Sequence, residues 1–152
     1  MKKGKIAFIM LLCFTLMQPA LCFGATQNEW RWAYATGPLS LENEPRYIGL
    51  TGCSLGIGAT NNGIVVDYST GFTKIADELG IKNLQLQVKT SSGWSSIYTI
   101  KQKNVKGESS FGGGFTKLIE RTGQEYRVTV THYAIYGGKT YTVTGTTDPL
   151  TF

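Results

Sequence analysis

The chain has 152 residues, a formal net charge of +5, nineteen glycines and three cysteines. Three of the fifteen basic residues lie in the first five positions, while all ten acidic residues lie beyond Ala25. The remainder therefore carries twelve basic against ten acidic residues, a net of +2. A balance that even removes the electrostatic basis for nucleic-acid binding.

Lys2, Lys3 and Lys5 precede an uncharged run from Ile6 to Met17. That run is shorter than the roughly 20 residues needed to span a bilayer. Pro19 and the small residues Cys22, Gly24 and Ala25 follow, completing the order of a secretory leader. Residues 1–25 are expected to be a cleaved signal helix, cut between Cys22 and Ala25, and the rest to be released outside the cell with no transmembrane segment. A short membrane anchor and lipid attachment at Cys22 are the other readings, the latter disfavoured by bulky Leu21 before the cysteine. Removing the leader takes two cysteines with it. Cys53 alone then remains, with no internal disulfide to form, and about 127 residues must hold together by their core.

Trp30, Trp32 and Tyr34 alternate at period two, as on one strand face. Pro38 and Pro45 then interrupt regular structure. Residues 26–46 read as a short edge strand or an extended aromatic arm plus linker, and 47–152 as the domain proper. Cys53, Leu55, Ile57 and Ala59 alternate with Ser54, Gly56 and Gly58. Asn62-Gly63 signals a tight type I′ hairpin turn, and Ile64 to Thr70 returns as its partner. Lys74 to Gly80 has Ile75 and Leu79 at helical spacing and predicts a single helical turn bridging two sheets.

Leu84, Leu86 and Val88 alternate with polar residues, Ser91-Ser92-Gly93 makes a turn, and Trp94 to Lys103 forms the next strand. Asn104 to Glu108 reads as a polar loop. Ser109 to Leu118, with Gly112, Gly113 and Gly114, suggests a bulged or edge strand. Gln124 to Ile135 and Thr140 to Thr146 close the pattern as a hairpin through 136–139. About seven strands of this spacing predict an all-β, two-sheet sandwich, with a small closed barrel as the alternative.

The stretch from Leu118 through Gly123 and Tyr126 to Val130 resembles the approach to strand F of fibronectin type III and other immunoglobulin-like domains. There a glycine turn precedes a tyrosine whose hydroxyl pins a corner between the sheets. The resemblance implies that Tyr126 is this corner residue. Fibronectin domains carry a tryptophan on strand B that is missing from Ile64 to Thr70, and Trp94 is expected to fill the core in its place. The chain is also similar to small uncharacterised exported proteins of Gram-positive bacteria, on Leu84-Gln85, Trp94, Tyr126-Arg127-Val128 and His132. That similarity implies a fold and a compartment and no activity.

No catalytic constellation emerges. His132, the only histidine, shares parity with Tyr126, Val128 and Val130, which predicts an inward ring bonded to backbone. A Cys53–His132 nucleophile pair is the sharpest enzymatic possibility, but a thiol at an apolar position among glycines lacks the exposure that reactivity needs. Asp67, Asp77 and Glu78 read as surface charge, without the convergence of paired catalytic carboxylates or the spacing of a calcium loop. The glycines at 49, 52, 56 and 58 precede no helix, so they form no phosphate loop. Neither cofactor nor metal is expected.

The binding candidates are aromatic: Trp30, Arg31, Trp32 and Tyr34 first, then Tyr133 and Ile135 with Tyr136 and Tyr141. The chain reads as a secreted, non-catalytic protein that binds a cell-envelope, glycan or protein partner. A membrane-active toxin and a cryptic hydrolase are the alternatives.

Overall fold

The computed structural model describes residues 30–35, 48–120 and 122–152, with the side chains of 32–35 excepted. The expected leader, and the linker after Ala35, lie outside the described residues. Every described element is a strand: β1 (Trp30–Ala35), β2 (Leu50–Thr60), β3 (Gly63–Ala76), β4 (Glu78–Thr90), β5 (Gly93–Val105), β6 (Glu108–Leu118), β7 (Glu125–Tyr136), β8 (Lys139–Thr146) and β9 (Leu150–Thr151). They form two antiparallel sheets, ordered β1-β2-β3-β6 and β5-β4-β7-β8, with β9 beside the start of β7.

The alternating sequence explains the layering. Leu55 and Ile57 on β2, Ile64, Val66 and Tyr68 on β3, Ile81, Leu84 and Leu86 on β4, and Tyr126, Val128 and Val130 on β7 form one buried cluster. Side chains two apart share a face, so each strand sends one set inward and the other to solvent. A second, smaller cluster contains Leu50, Cys53, Phe72, Ala76, Leu79 and Ala134.

Three local expectations need correcting. Residues 74–80 form no helical turn: the strand runs to Ala76, bends at Asp77 and resumes at Glu78. Ile75 is 68% exposed and Leu79 is fully buried, so the two do not share the face that helical spacing suggests. The polar loop expected at 104–108 is likewise only a bend at Lys106 and Gly107. With Ala76 opposite Glu108 and Leu79 opposite Val105, β3–β4 and β5–β6 make one long hairpin folded from the first sheet into the second. The Asp77 N–H donates to the Ile135 carbonyl (2.8 Å), and its carboxylate accepts from the Gly137 N–H (2.8 Å), pinning the fold line to the β7–β8 turn.

The third correction concerns turns. Thr60 pairs with Gly63, so the first hairpin turns at Asn61-Asn62, one residue earlier than expected, and neither asparagine has positive φ. Glycine at 63 serves another need, since a Cβ there would strike the Lys117 carbonyl of β6. The two-residue turn with positive φ at both positions is Gly137-Gly138, at 56° and 75°, the requirement of a type I′ turn.

Candidate binding face

Residues of β1 pair with β2 over six positions, so 30–35 belong to the first sheet and the domain begins before residue 47. Trp30 stands opposite Gly58, where a Cβ would lie 2.6 Å from the indole. A bare glycine thus receives the ring, and the small face read from Gly56 and Gly58 is the seat of an edge strand. Arg31 is exposed. Trp32 and Tyr34 register opposite Gly56 and Ser54, and their side chains lie outside what is described. Trp30 is a packed residue of a sheet, not part of a free arm.

Inside the sandwich, His132 on β7 and Thr70 on β3 meet between the two apolar clusters. The His132 ring is fully buried, with Nδ1 2.7 Å from the Thr70 hydroxyl. That hydroxyl also reaches the Gly80 carbonyl at 3.3 Å. The histidine partner is therefore a side chain of the facing sheet, not the expected backbone group. Nε2 has no hydrogen-bond partner among the described residues. If Thr70 donates to Gly80, His132 donates through Nδ1–H and leaves only a lone pair unmet, a cheaper state than an orphaned N–H. Burial lowers the His132 pKa to about 4. Cys53 is 1% exposed, and burial raises its pKa. A buried neutral imidazole bonded to threonine, and a thiol disfavoured as thiolate, have the environment of core residues.

Tyr126 is buried at the start of β7. Its hydroxyl donates to Gln124 Oε1 at 3.4 Å, a side chain two residues upstream. Trp94 does not enter the core. It is half-buried beside Arg127, whose guanidinium carbon lies 4.3 Å from the ring centroid. The aromatics that enter the core from β3 are Tyr68, stacked near Phe111 at 6.0 Å, and Phe72. Tyr136 and Tyr141 pack on Phe72 at 5.8 and 5.2 Å, and so close one end of the core.

The outer face of the second sheet carries the most organised polar surface. Tyr133, one residue past His132, points outward, yet it is only 3% exposed. Its hydroxyl donates to Glu78 Oε1 at 2.5 Å and accepts from Gln102 Nε2 at 2.7 Å and Asn104 Nδ2 at 2.9 Å. Gln102 and Asn104 also donate to Glu78 Oε1, at 3.1 and 2.9 Å. Lys82 lies over the Tyr133 ring at 5.6 Å. Burial, reinforced by the Glu78 carboxylate, raises the Tyr133 pKa and keeps it a hydrogen-bond donor. Asp77 and Glu78 bond to different groups, Gly137 and Tyr133, and do not converge.

Strand register makes this cluster. Tyr133 and Asn104 flank Gly80 from the two neighbouring strands, and a Cβ on Gly80 would strike the Lys103 carbonyl and crowd Asn104. Toward the other end of the face, Arg127 Nε donates to Gln87 Oε1 at 2.9 Å beneath Trp94, and Lys89 pairs with Glu125. The sequence exposed Tyr133 as outward-facing, but Gln102 and Asn104 lay in segments read as strand end and loop. Only the pairing of β4 with both β5 and β7 brings them together.

Among the described residues, no group of three His, Cys, Asp or Glu side chains is placed to hold a metal ion. No described helix is long and apolar enough to cross a membrane. No family model, curated protein or solved structure matches the chain.

Proposed function

We propose that this chain is an exported, non-catalytic binding module of immunoglobulin-like kind, whose outer β5-β4-β7 face takes a hydroxyl-rich glycan of the cell envelope or its surroundings. The observation that carries the reading is the fixed row of amide, carboxylate and phenol groups around Tyr133, continued by the Arg127–Trp94 pair on the same face. Sugars offer donors and acceptors on their edges and apolar C–H patches on their faces. Exposed amides answer the first, and an indole answers the second. From Trp94 to Asn104, β5 advances about 33 Å at 3.3 Å per residue, the reach of a chain of sugars and not of a single ring.

Strand order supports the immunoglobulin-like part. If β2 to β8 are taken as A, B, C, C′, E, F and G, the sheets read ABE and C′CFG, with Tyr126 opening strand F. In this reading β1 is an additional strand outside A, and Tyr68 supplies the aromatic bulk on strand B. Export rests on the charged, apolar and small-residue order of residues 1–25.

The test is binding of the purified chain to immobilised cell-wall and exopolysaccharide fractions. Trp94→Ala and the double variant Gln102→Ala/Asn104→Ala should each weaken retention by about tenfold, a loss of about 1.4 kcal/mol, with unchanged circular dichroism. Undiminished retention by both variants removes this face from the account.

A further inference from the structure

The first sheet ends in β6, which has β3 on one side and no described strand on the other. An unpaired edge is a template for a second strand, and proteins usually blunt it with charge, proline, a bulge or short length. From Ser109 to Thr116, β6 uses none of these. The eight residues carry no charge and no proline, and their pairing with β3 runs without a shift from Leu118 back to Ser110. By contrast β5 carries Lys101 and Lys103 and a register shift against β4, and β1 has six residues including Arg31. The outer strand β8 lies against β1 of the facing sheet.

The β6 sequence is also its own mirror. Ser110-Phe111-Gly112-Gly113-Gly114-Phe115-Thr116 reads hydroxyl, phenylalanine, three glycines, phenylalanine, hydroxyl in either direction. A two-fold contact places the same patch of both subunits against itself, and antiparallel strands related by such an axis meet in reversed order. With the axis at Gly113, Phe111 faces Phe115 of the second copy, and Ser110 faces its Thr116. Aromatic pairs and hydroxyl pairs are cross-strand combinations that stabilise sheets, and symmetry supplies each twice.

Glycine demand along the strand points the same way. A Cβ on Gly114 would strike Asp67, and one on Gly113 would lie 2.9 Å from the Tyr68 hydroxyl, so the chain itself accounts for both. A Cβ on Gly112 would meet only ordinary contacts, the Tyr68 carbonyl at 3.5 Å and Ser69 Cβ at 3.9 Å, and φ at this position is not positive. Nothing within one copy requires a bare residue there. In the symmetric pairing Gly112 lies opposite Gly114 of the second copy.

We infer that two copies of this chain pair through β6, antiparallel about a two-fold axis at Gly113, joining two four-stranded sheets into one of eight strands. Sedimentation velocity of the full chain over a range of concentrations tests this. Twice the monomer mass is expected at the higher concentrations. Gly112→Lys, which fits within one copy and adds an edge charge, should weaken dimerisation by about tenfold or more with the same circular dichroism and Tm. Should that variant fail to fold, Ser110→Lys/Thr116→Lys, at two exposed positions, is read in the same way.

Register is tested separately by oxidation. Residues directly opposite across antiparallel strands bring their Cβ atoms to about 5 Å, close enough for a disulfide after small adjustment. Ser110→Cys/Thr116→Cys should therefore cross-link into a covalent dimer, and Ser110→Cys alone should not. A wild-type chain that stays monomeric at its solubility limit overturns the inference. So do a dimer indifferent to Gly112→Lys, equal cross-linking by the single cysteine variant, or a ladder of open-ended oligomers.

Discussion

His132 and Tyr133 are neighbours on β7 that face opposite sides of one sheet, and their surroundings differ in kind. The imidazole is sealed between the sheets with one partner, the Thr70 hydroxyl, and an unmet Nε2. The phenol sits on the outer surface, yet it has three partners, Glu78, Gln102 and Asn104. Burying a polar group stabilises only when its bonds are met, so His132 is a cost carried by the core. Tyr133 is held at a fixed position by a network whose outer members remain open to solvent. One strand thus separates a residue that joins the layers from one that organises a surface.

The largest effect expected from this contrast is acid sensitivity at His132. Its folded pKa is about 4, against 6.5 for an unperturbed histidine. The unfolded chain therefore takes up the proton first as pH falls. The fold keeps its full stability above pH 6.5 and loses about 3 kcal/mol of it progressively down to about pH 4. Urea denaturation at a series of pH values reads this slope, and His132→Leu should lack it. An equal slope in that variant would assign the sensitivity to the carboxylates instead.

Next in size is Thr70→Val, which keeps the shape but leaves both ring nitrogens unmet. It should cost about 1–3 kcal/mol, and the double variant Thr70→Val/His132→Leu should recover much of the loss. A neutral single variant would mean that the cross-sheet bond contributes nothing. The smallest effect is Tyr133→Phe, at about 1 kcal/mol, because Gln102 and Asn104 can turn to water. If this face binds a glycan, the same variant should weaken retention far more than it lowers Tm. Equal losses in both would make the network purely structural.

Much of this contrast could be read before the structure. Strict alternation in Leu84–Val88 and Tyr126–His132 predicts both strands, the inward histidine and the outward Tyr133. The fold line at Asp77 could not be read, because Ile75 and Leu79 mimic helical spacing. What sets Leu79 inside and Ile75 outside is a ribbon crossing between sheets. Trp94 was expected in the core because the resemblance to fibronectin domains asks for a tryptophan there, yet its register opposite Lys89 sets it on the outward face beside Arg127. The two-residue strand β9 is too short for periodicity to register, and its place is visible only through pairing with Glu125 and Tyr126.

Taken alone, the amino-acid order determines that the described residues are all-β and, where alternation is strict, as in Leu84–Val88 and Tyr126–His132, which side chains face inward. These properties follow from period-two alternation and backbone sterics, which act between neighbours in sequence. Tertiary pairing decides that Gln102 and Asn104 meet Glu78 and Tyr133, and that Thr70 meets His132. Those contacts join residues 24 to 62 positions apart, and their partners are selected by strand order and register, which no local pattern encodes.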